Sequence, residues 1–385
     1  MKVDTITTDP PIKIGIIGGG QLGKMMTHEA KKLGFHVTIL DHTQNCPAGQ
    51  VADEQIVAEW KDADAIKKLA SKVDVVTCDV EHVNVDVLKE LEHKGYIVRP
   101  SGHVLEIIQD KLKQKEVLSK AGIPVPKYKK VNCVDEDVKE FGYPVVQKAC
   151  KGGYDGRGVF IIKSKNDIKN SIQAESMVEE YIDFEKELAV MVAINPDDEI
   201  KCFPVVEMVF NPRANICDMV IAPARIKDEL HEKAKQIGVE CVKALGGIGV
   251  FGIEMFLTKD DEILVNEIAP RPHNSGHYTI ECCVTSQFEQ HIRAITNLPL
   301  GSTELLTPGV MMNLLGEEGH KGPVVLTGVK EALIIPGLSL HFYGKKITKP
   351  FRKMGHITVT DKNIEKAIEK AKKAKSLLRV RSKQK

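Results

Sequence analysis

The chain has 385 residues, of which 42% are hydrophobic and 28% are charged, and its formal net charge at pH 7 is +1. A chain of this length exceeds what one hydrophobic core usually organises, so two or three domains are expected. The balanced charge gives no reason to expect nucleic acid or an anionic membrane as a partner, and no apolar run is long enough to span a bilayer. The first eleven residues lack the basic start and apolar core of a secretory signal and are predicted to be a disordered lead-in.

The nine cysteines are interpreted as reduced thiols. Their number is odd, and none of them stands in a C-x-x-C spacing. Several lie in apolar strand or helix patterns, which is typical of buried thiols in a cytoplasmic protein. The adjacent Cys282 and Cys283 are predicted to lie on a packed helix face rather than in a metal or redox site.

Residues 12–122 are predicted to form a doubly wound α/β domain. Short apolar runs alternate with stretches of helical periodicity, which predicts a parallel sheet with helices on its faces. The predicted strands are 12–17, 37–40, 73–77 and 96–99, and the predicted helices are 21–33, 65–70 and 85–93. A helix-rich bridge from 103 to 122 follows. The two prolines of segment 123–126 mark a domain boundary, because proline restricts its own φ and the residue before it.

Residues 123–308 are predicted to be an α+β domain, and residues 309–385 a small C-terminal domain. Short turns separate several of the central strands, which favours antiparallel pairing. The predicted strands are 145–149, 159–163, 187–195, 203–210, 249–258 and 262–269, then 310–314, 332–335, 339–342 and 356–360. The basic end after Lys362 has apolar residues at helical spacing and is predicted to be an amphipathic helix docked on its own domain.

The glycine cluster near the N-terminus matches a dinucleotide-binding fingerprint. Gly18–Gly23 has the G-x-G-x-x-G spacing between a predicted strand and a predicted helix, and Asp41 ends the next strand, where a ribose-binding acid would lie. The physical content of the motif is smaller, because glycines let the N–H groups of a helix N-terminus approach any phosphate ester. A nicotinamide cofactor, and with it an NAD-dependent dehydrogenase, a phosphorylated substrate and a purely structural turn all remain open.

A second glycine-rich segment follows a predicted strand of the central domain. Four glycines fall within the seven residues 152–158, directly after the strand that holds Lys148. Such a flap can close over phosphates, with N–H donors from its backbone, positive charge from Arg157 and the Lys148 ammonium on the α- and β-phosphates. The order differs from a Walker loop, in which the lysine follows the glycines. A glycine-rich hairpin without a ligand is the alternative.

An acidic segment, Glu179–Ile182, leads into an apolar strand, and Glu187 follows it. The backbone of such a hinge can bind the edge of an adenine ring, and a carboxylate can bind the ribose hydroxyls. Surface acids beside a strand are ordinary, so this segment alone is weak evidence for a nucleotide site.

Glu254 and Glu267 are the strongest local signal, because each lies inside an apolar predicted strand and a short turn joins the two strands. Buried carboxylates are costly unless a partner neutralises them, and a divalent cation that bridges phosphates is such a partner. Asn266 would complete the site. A buried salt bridge is the alternative, and it is disfavoured because no lysine lies inside these two strands.

The lysine, the glycine-rich flap, the acidic hinge and the carboxylate strand pair, in that order, resemble the ATP-grasp superfamily. Four separate stretches are more specific, since they resemble the N5-carboxyaminoimidazole ribonucleotide synthetase family of purine biosynthesis: GGGQLGKM (18–25), GGYDGRG (152–158), NEIAPRPHNSGH (266–277) and FRKMGH (351–356). The resemblance implies a three-domain ATP-grasp architecture, with an N-terminal doubly wound domain, a central ATP-grasp domain and a small C-terminal domain. It also implies a homodimer in which ATP joins bicarbonate to 5-aminoimidazole ribonucleotide through carboxyphosphate.

The resemblance also assigns residues to each ligand. The ATP-binding positions are Lys111, Lys148, Gly153, Gly156, Arg157, Gly158, Glu179, Glu180, Tyr181, Ile182, Glu187, Asn266 and Glu267. Glu254 and Glu267 match ligands of Mg²⁺, for which Mn²⁺ is a possible substitute. The ribonucleotide would contact Gln21, Leu22, Glu81, Asn274, Lys345, Arg352 and Lys353. The residues matched to chemical steps are Tyr154, Asp155, Arg271, His273 and Lys353. Arg271 and His273 would fix the charge of bicarbonate, and Asp155 is a candidate to accept the amine proton.

Two positions depart from the family pattern. Phe351 stands where the family often has glycine, and Lys111 stands where many members have arginine, whose planar fork a lysine does not reproduce. Formate-dependent glycinamide ribonucleotide transformylase and biotin carboxylase are the rivals with an ATP-grasp core, and the stretches 266–277 and 351–356 favour the carboxyaminoimidazole family over both. The intact Lys148, Glu254 and Glu267 argue against an inactive ATP-grasp relative.

Overall fold

The structure, a computed structural model, describes residues 11–153, 158–211 and 216–383. Its N-terminal part is a parallel sheet in the order β3-β2-β1-β4-β5, with helices packed on it. The elements are β1 (Lys13–Ile17), α1 (Gln21–Lys32), β2 (His36–Leu40), β3 (Glu54–Ile56), α2 (Ala63–Ala70), β4 (Val75–Cys78), α3 (Val85–His93), β5 (Ile97–Val98), α4 (Gly102–Ile108) and α5 (Lys111–Lys120). Ile14, Ile16 and Ile17 are all fully buried, because both faces of this sheet are covered. The predicted doubly wound sheet is confirmed. The predicted lead-in falls, up to residue 10, outside the described residues.

A small antiparallel sheet, which we call the flap sheet, has the strand order β6-β9-β7-β8. Its elements are β6 (Tyr128–Lys130), α6 (Val134–Phe141), β7 (Val145–Ala149), β8 (Val159–Ile162) and β9 (Ser176–Glu180). Val145, Ile162 and Val178 pack with Val138 of α6 into its own core. Residues 154–157, between β7 and β8, lie outside the described residues. The flap sheet places Lys148 of β7 beside Glu179 of β9.

A large antiparallel sheet, which we call the core sheet, follows the flap sheet in the sequence and carries the two predicted metal ligands. Its strands and the neighbouring helices are β10 (Phe184–Ile194), β11 (Ile200–Cys202), β12 (Val206–Asn211), β13 (Ile216–Ala222), α7 (Asp228–Leu245), β14 (Gly249–Thr258), β15 (Ile263–Ala269), α8 (Thr279–Cys282) and α9 (Gln287–Ile295). The strand order starts β15-β14-β10-β12-β13. Helix α7 packs Leu230, Ala234 and Cys241 against one face of the sheet.

The C-terminal part adds further strands to the core sheet and forms a small sheet of its own. Its elements are β16 (Gly309–Leu315), β17 (Gly322–Thr327), α10 (Val329–Leu333), β18 (Leu338–Phe342), β19 (Ile347–Thr348), β20 (Lys353–Thr360), α11 (Ile364–Leu377) and β21 (Arg379–Ser382). Strands β16, β20 and β18 continue the core sheet beyond β13, so the sheet crosses the boundary predicted between 308 and 309. That boundary and the one between 122 and 123 stay predictions. The amphipathic helix expected after Lys362 is α11, which buries Ala367, Ile368 and Ala371.

The strand predicted at 332–335 is wrong. Residues 332 and 333 end helix α10, and residues 334 and 335 lie in the turn after it. Ala332 and Ile335, three positions apart, are buried, whereas Leu333 and Ile334 are 53% and 78% exposed. That spacing is helical, and a four-residue apolar run does not by itself distinguish a helix from a strand. Strands that the predicted runs do not cover include β3, β6, β13, β17 and β21.

None of the helices within the described ranges is long and apolar enough to cross a membrane. The nine cysteines are free thiols, as predicted. Cys282 ends α8, Cys283 follows it, and both are buried.

His291 of α9 joins the first domain to the core sheet and is expected to make the protein sensitive to acid. Its Nδ1 accepts a hydrogen bond from the Val250 N–H at 3.0 Å, and its Nε2 lies 2.9 Å from Thr77 Oγ1. Burial lowers the pKa of His291 to about 3, whereas the pKa of histidine in an unfolded chain is about 6.5. The neutral ring therefore contributes stability above pH ~6.5 that is lost as the pH falls, about 2 kcal/mol at pH 5.

Denaturant unfolding of His291→Gln at pH 7 and pH 5 tests this expectation. The free energy of unfolding should fall by about 2 kcal/mol less in the variant than in the unmodified protein. His103→Gln, at an exposed position of α4, is the matched control and should behave like the unmodified protein. If the free energy of unfolding falls equally between pH 7 and pH 5 in the variant and in the unmodified protein, His291 is not the source of the acid sensitivity.

Candidate active site

The predicted site residues meet in one cleft with a volume of about 1110 Å³, lined by all three parts of the chain. The predicted residues that line it are Gln21, Leu22, Glu81, Lys148, Gly153, Glu179, Glu180, Tyr181, Ile182, Glu187, Glu254, Asn266, Glu267, Arg271, His273, Asn274, Lys345, Arg352 and Lys353. Tyr154, Asp155, Gly156 and Arg157 lie outside the described residues. Lys111 is not among the lining residues, but it pairs with Glu267, which is. Gly158, the first described residue after 154–157, has a φ of 76°.

Glu254 and Glu267 lie directly opposite each other on the paired strands β14 and β15. Burial, and after it repulsion from the nearby Glu267 and Glu187 carboxylates, raises the pKa of Glu254 to about 8. Burial acts in the same direction on Glu267, but the ion pair with Lys111 outweighs it and holds the pKa of Glu267 below its usual range. His273 Nε2 lies 3.5 Å from Glu254 Oε1. The strand pair therefore places two carboxyl groups on one wall of the cleft, and only one of them, Glu267, has a lysine partner.

Lys111 supplies part of the salt bridge that the sequence argued against. Its Nζ donates a hydrogen bond to Glu267 Oε2 at 2.6 Å. The lysine comes from the first turn of α5 rather than from either strand, so inspection of the strand interiors could not find it. Glu254 has no such lysine within hydrogen-bonding distance among the described residues.

The donor set fits a divalent cation that also binds phosphate. Two carboxylates and the Asn266 amide oxygen are the hard oxygen ligands that Mg²⁺ prefers, and Mg²⁺ usually takes only one or two carboxylates and completes its shell with phosphate and water. Among the described residues there is no cluster of three or more His, Cys, Asp or Glu side chains placed to hold a metal alone. Glu254 and Glu267 are therefore suited to a metal that arrives with a nucleotide.

Lys148, Glu179 and Lys115 form a buried set that we call the lysine–glutamate clamp. Lys148 Nζ lies 2.6 Å from Glu179 Oε2 and donates to Asn266 Oδ1 at 2.9 Å. Lys115 Nζ lies 3.1 Å from Glu179 Oε1. Burial alone would raise the pKa of Glu179, yet the two lysines hold it at about 2. The Glu179 carboxylate thus faces the lysines, and its predicted contact with ATP stays a prediction. Lys115 was not predicted.

The hinge end of the cleft is apolar and aromatic. Phe184 of β10 and Phe256 of β14 stack at 4.9 Å between ring centroids, and both line the cleft with Ile182. Burial raises the pKa of Glu187 to about 7, and Lys148 opposes the shift. A flat purine ring fits such walls. The two phenylalanines escaped prediction because only the pairing of β10 with β14 brings them together.

The N–H groups of the glycine loop are occupied by the protein's own carboxylates. The Gly19 N–H donates to Asp41 Oδ2 at 2.8 Å, and the Gly20 N–H donates to Asp79 Oδ2 at 2.6 Å. A pyrophosphate at the start of α1 would meet these two acids rather than free donors. The loop is therefore unsuited to the phosphates of a dinucleotide, which argues against the dehydrogenase alternative. Asp79 was not predicted, because it follows β4, far from the loop in sequence.

Arg271 and His273 lie in the loop after β15, between the carboxylate pair and the glycine loop. Arg271 Nη2 lies 3.0 Å from Glu81 Oε1, and its Nη1 donates to the Pro272 carbonyl at 3.1 Å. Its buried Nε has no hydrogen-bond partner within the part of the chain that the structure describes. Asn274 lines the cleft, but its amide exchanges two hydrogen bonds with the buried Asn313, at 2.9 and 2.7 Å.

Cationic side chains from the C-terminal part close the other end of the cleft. Lys345, Lys346, Arg352 and Lys353 line it together. Lys345 Nζ donates to the Lys353 carbonyl at 2.7 Å, which ties the turn before β19 to the start of β20. Phe351 has φ 63, a left-handed conformation that favours glycine, which explains why the family often has glycine there.

Known proteins match this chain over nearly its full length. Residues 12–109 match the ribonucleotide synthetase preATP-grasp domain, residues 116–288 the ATP-grasp domain, and residues 309–370 the phosphoribosylaminoimidazole carboxylase C-terminal domain. N5-carboxyaminoimidazole ribonucleotide synthase of Bacillus subtilis is 42% identical over 356 residues, which cover 91% of each chain. The chain belongs to the N5-carboxyaminoimidazole ribonucleotide synthase family.

Solved structures of this synthase family superpose closely on the chain. The synthetase from Thermotoga maritima has a TM-score of 0.92 at 62% identity, covering 97% of this chain and 100% of that one. The synthase from Aspergillus clavatus, in complex with ADP and 5-aminoimidazole ribonucleotide, has a TM-score of 0.88 at 37% identity, covering 95% and 98%. The chain spans 65% of the chloroplastic phosphoribosylaminoimidazole carboxylase of Vigna aconitifolia, at 40% identity over 365 residues and 92% of this chain. The predicted family and its three-domain ATP-grasp architecture are confirmed.

Proposed function

We propose that this chain carboxylates 5-aminoimidazole ribonucleotide with ATP and bicarbonate, releasing N5-carboxyaminoimidazole ribonucleotide, ADP and phosphate. One observation carries the proposal: a row of neighbouring residues crosses the cleft. It leads from Lys148 through Asn266 to the Glu254–Glu267 pair, and from there to His273. Two residues before His273, Arg271 pairs with Glu81 beside the glycine loop. Groups suited to a nucleotide, an acyl phosphate and a ribotide thus adjoin one another.

The first chemical step joins bicarbonate to the γ-phosphate of ATP. A bicarbonate oxygen attacks phosphorus, the bond to the ADP oxygen breaks, and carboxyphosphate forms. The ribotide amine then attacks the carboxyl carbon, or the CO2 that carboxyphosphate releases. The carbon–oxygen bond to phosphate breaks, inorganic phosphate leaves, and the amine loses a proton. Carboxyphosphate decomposes quickly in water, so the cleft has to exclude water around it.

Glu254 and Glu267 would hold Mg²⁺, with Mn²⁺ as a possible substitute. The metal, when bound, would neutralise phosphate oxygens in the in-line displacement. The raised pKa of Glu254 reflects burial first and repulsion from Glu267 and Glu187 second, and a divalent cation would offset both. Lys148 would add positive charge on the α- and β-phosphates, and Lys111 would keep the Glu267 carboxylate in place.

Arg271 and His273 would hold bicarbonate next to the γ-phosphate. The partnerless Nε of Arg271 is a donor that a carboxylate-like anion would satisfy, and the guanidinium fork suits a planar oxyanion. The ribotide would lie against Gln21, Leu22 and Glu81, with its phosphate on the cationic residues of the C-terminal part. Tyr154 and Asp155, for which we propose roles near the imidazole, lie outside the described residues.

We further propose that the chain acts as a homodimer in the cytoplasm. The family resemblance supports the dimer, and the free thiols fit a reducing compartment. Light scattering should give about twice the mass of one chain, and a mass of one chain would refute the dimer.

Phosphate release tests the proposed function. The purified protein with ATP, Mg²⁺ and bicarbonate should release phosphate at a rate that rises strongly on addition of 5-aminoimidazole ribonucleotide. Stimulation only by formate with glycinamide ribonucleotide would assign the chain to the transformylase instead. Turnover that ignores the ribotide altogether would contradict the proposal.

Arg352 is expected to set the affinity for the ribotide phosphate. Arg352→Gln removes one cation from the end of the cleft, so the KM for the ribotide should rise by about tenfold, the value of one charge-assisted contact. The KM for ATP should stay unchanged, because the nucleotide lies at the hinge end. Steady-state kinetics measures both values. Arg379→Gln, an exposed arginine of β21, is the control, and equal effects of the two variants would contradict the assignment.

A further inference from the structure

Lys115 is a buried cation that the mechanism above does not use. It lies in the second turn of α5, and its side chain is 2% exposed. Its Nζ donates a hydrogen bond to the Val265 carbonyl oxygen at 2.9 Å and lies 3.1 Å from Glu179 Oε1. A buried ammonium is costly unless its partners replace the lost hydration. Packing alone therefore does not explain why a lysine stands at this position.

The lysine–glutamate clamp connects three elements that bound the nucleotide end of the cleft. Lys115 comes from α5, Glu179 from β9 of the flap sheet, and Lys148 from β7. Lys115 also contacts β15 at Val265, two residues before Glu267. One carboxylate thus lies between two ammonium groups, so the clamp has a net charge of +1. Lys148 and Glu179 line the cleft, whereas Lys115 does not.

We propose that Lys115 is a positioning residue for ATP, which shares the Glu179 carboxylate with Lys148 and thereby leaves net positive charge at the cleft for the phosphates. Lys115 forms an ion pair with Glu179 Oε1, an oxygen that accepts no hydrogen bond among the described residues, while Lys148 interacts with Oε2 and also reaches Asn266. This role rests on the proposed function, since it assumes that Lys148 binds the nucleotide. It also links the flap sheet to the strand that carries Glu267.

Removal of the Lys115 charge should weaken nucleotide binding selectively. Without Lys115, Glu179 neutralises Lys148, and the clamp falls from a net charge of +1 to zero. ADP affinity should then fall by about tenfold or more, as expected for a buried charge-assisted contact. The KM for the ribotide should change little, because its predicted contacts lie on other elements.

Calorimetric titration with ADP and Mg²⁺ measures the effect directly and does not depend on which substrate the enzyme carboxylates. Lys115→Met removes the charge, and Lys115→Gln removes it while keeping a donor for the Val265 carbonyl. Lys113→Met is the matched control, since Lys113 lies two residues away on α5 and is 49% exposed. The double variant Lys115→Met/Glu179→Gln removes both the lysine and the carboxylate that it balances. It therefore restores the positive charge on Lys148.

The proposal predicts ADP binding weakened about tenfold or more in both Lys115 variants, unchanged in Lys113→Met, and largely recovered in the double variant. If Lys115→Met does not fold, Lys115→Gln and the double variant still decide the matter. Unchanged ADP affinity in a folded Lys115 variant would overturn the proposal. So would failure of Glu179→Gln to restore affinity, because a purely structural loss would not be relieved by a second charge removal. An unmodified protein that binds ADP but does not carboxylate the ribotide would refute the proposed function and leave this test intact.

Discussion

Glu254→Gln and Glu267→Gln should each lower Mg²⁺-dependent ATP turnover by about a thousandfold. Each glutamine keeps the shape of the side chain but removes a charge that the metal requires, and electrostatic stabilisation of the displacement is of that order. Phosphate release across a Mg²⁺ titration measures the loss. Glu262→Gln, an exposed carboxylate in the turn between the same two strands, is the control and should retain full activity.

The two glutamates should differ in their effect on stability. The charge on Glu254 is already disfavoured by burial and by its neighbours, so Glu254→Gln should leave the free energy of unfolding within about 1 kcal/mol. Glu267→Gln leaves Lys111, whose side chain is 15% exposed, without its ion pair and should cost about 2–3 kcal/mol. Full activity in either variant would refute the metal assignment, and equal stability would refute the distinct roles of the pair.

Arg271→Lys should lower kcat/KM for bicarbonate by about a hundredfold. Lysine keeps the charge but cannot present the planar fork or the buried Nε donor, and the loss of one such contact to a developing oxyanion has this magnitude. Rates measured at varied bicarbonate with saturating ATP and ribotide test it. Arg293→Lys, on α9 and paired with Glu289, is the control. A variant limited only in its KM for ATP would place Arg271 at the nucleotide instead.

The parts of the fold that repeat a local pattern could be predicted from the sequence. The alternation of strands and helices predicted the parallel sheet, because each of these elements has the hydrophobic periodicity of its own type. The run at 332–335 failed because four apolar residues fit both periods. Edge strands such as β6 and β21 failed because they bury few side chains and have no strong pattern.

In the candidate site, too, residues with a local signal could be predicted and residues that depend on tertiary contacts could not. Glu254 and Glu267 could be predicted because a carboxylate inside an apolar strand is conspicuous wherever that strand packs. Asp79 and Lys115 could not be predicted, because their partners lie far away in the chain. Only the tertiary structure shows that Asp79 accepts a hydrogen bond from the glycine loop. The dinucleotide fingerprint alone left its ligand open for this reason, since its glycines do not indicate which anion faces them.

The proposed function requires that ATP phosphorylates bicarbonate in this cleft. Bicarbonate labelled with ¹⁸O, supplied with ATP, Mg²⁺ and 5-aminoimidazole ribonucleotide in unlabelled water, decides it. Carboxyphosphate chemistry transfers one bicarbonate oxygen to the phosphate released, so mass spectrometry should find one ¹⁸O atom in each phosphate after correction for exchange between bicarbonate and water. Phosphate without ¹⁸O would mean that water rather than bicarbonate attacks ATP, and this result would contradict the proposed chemistry.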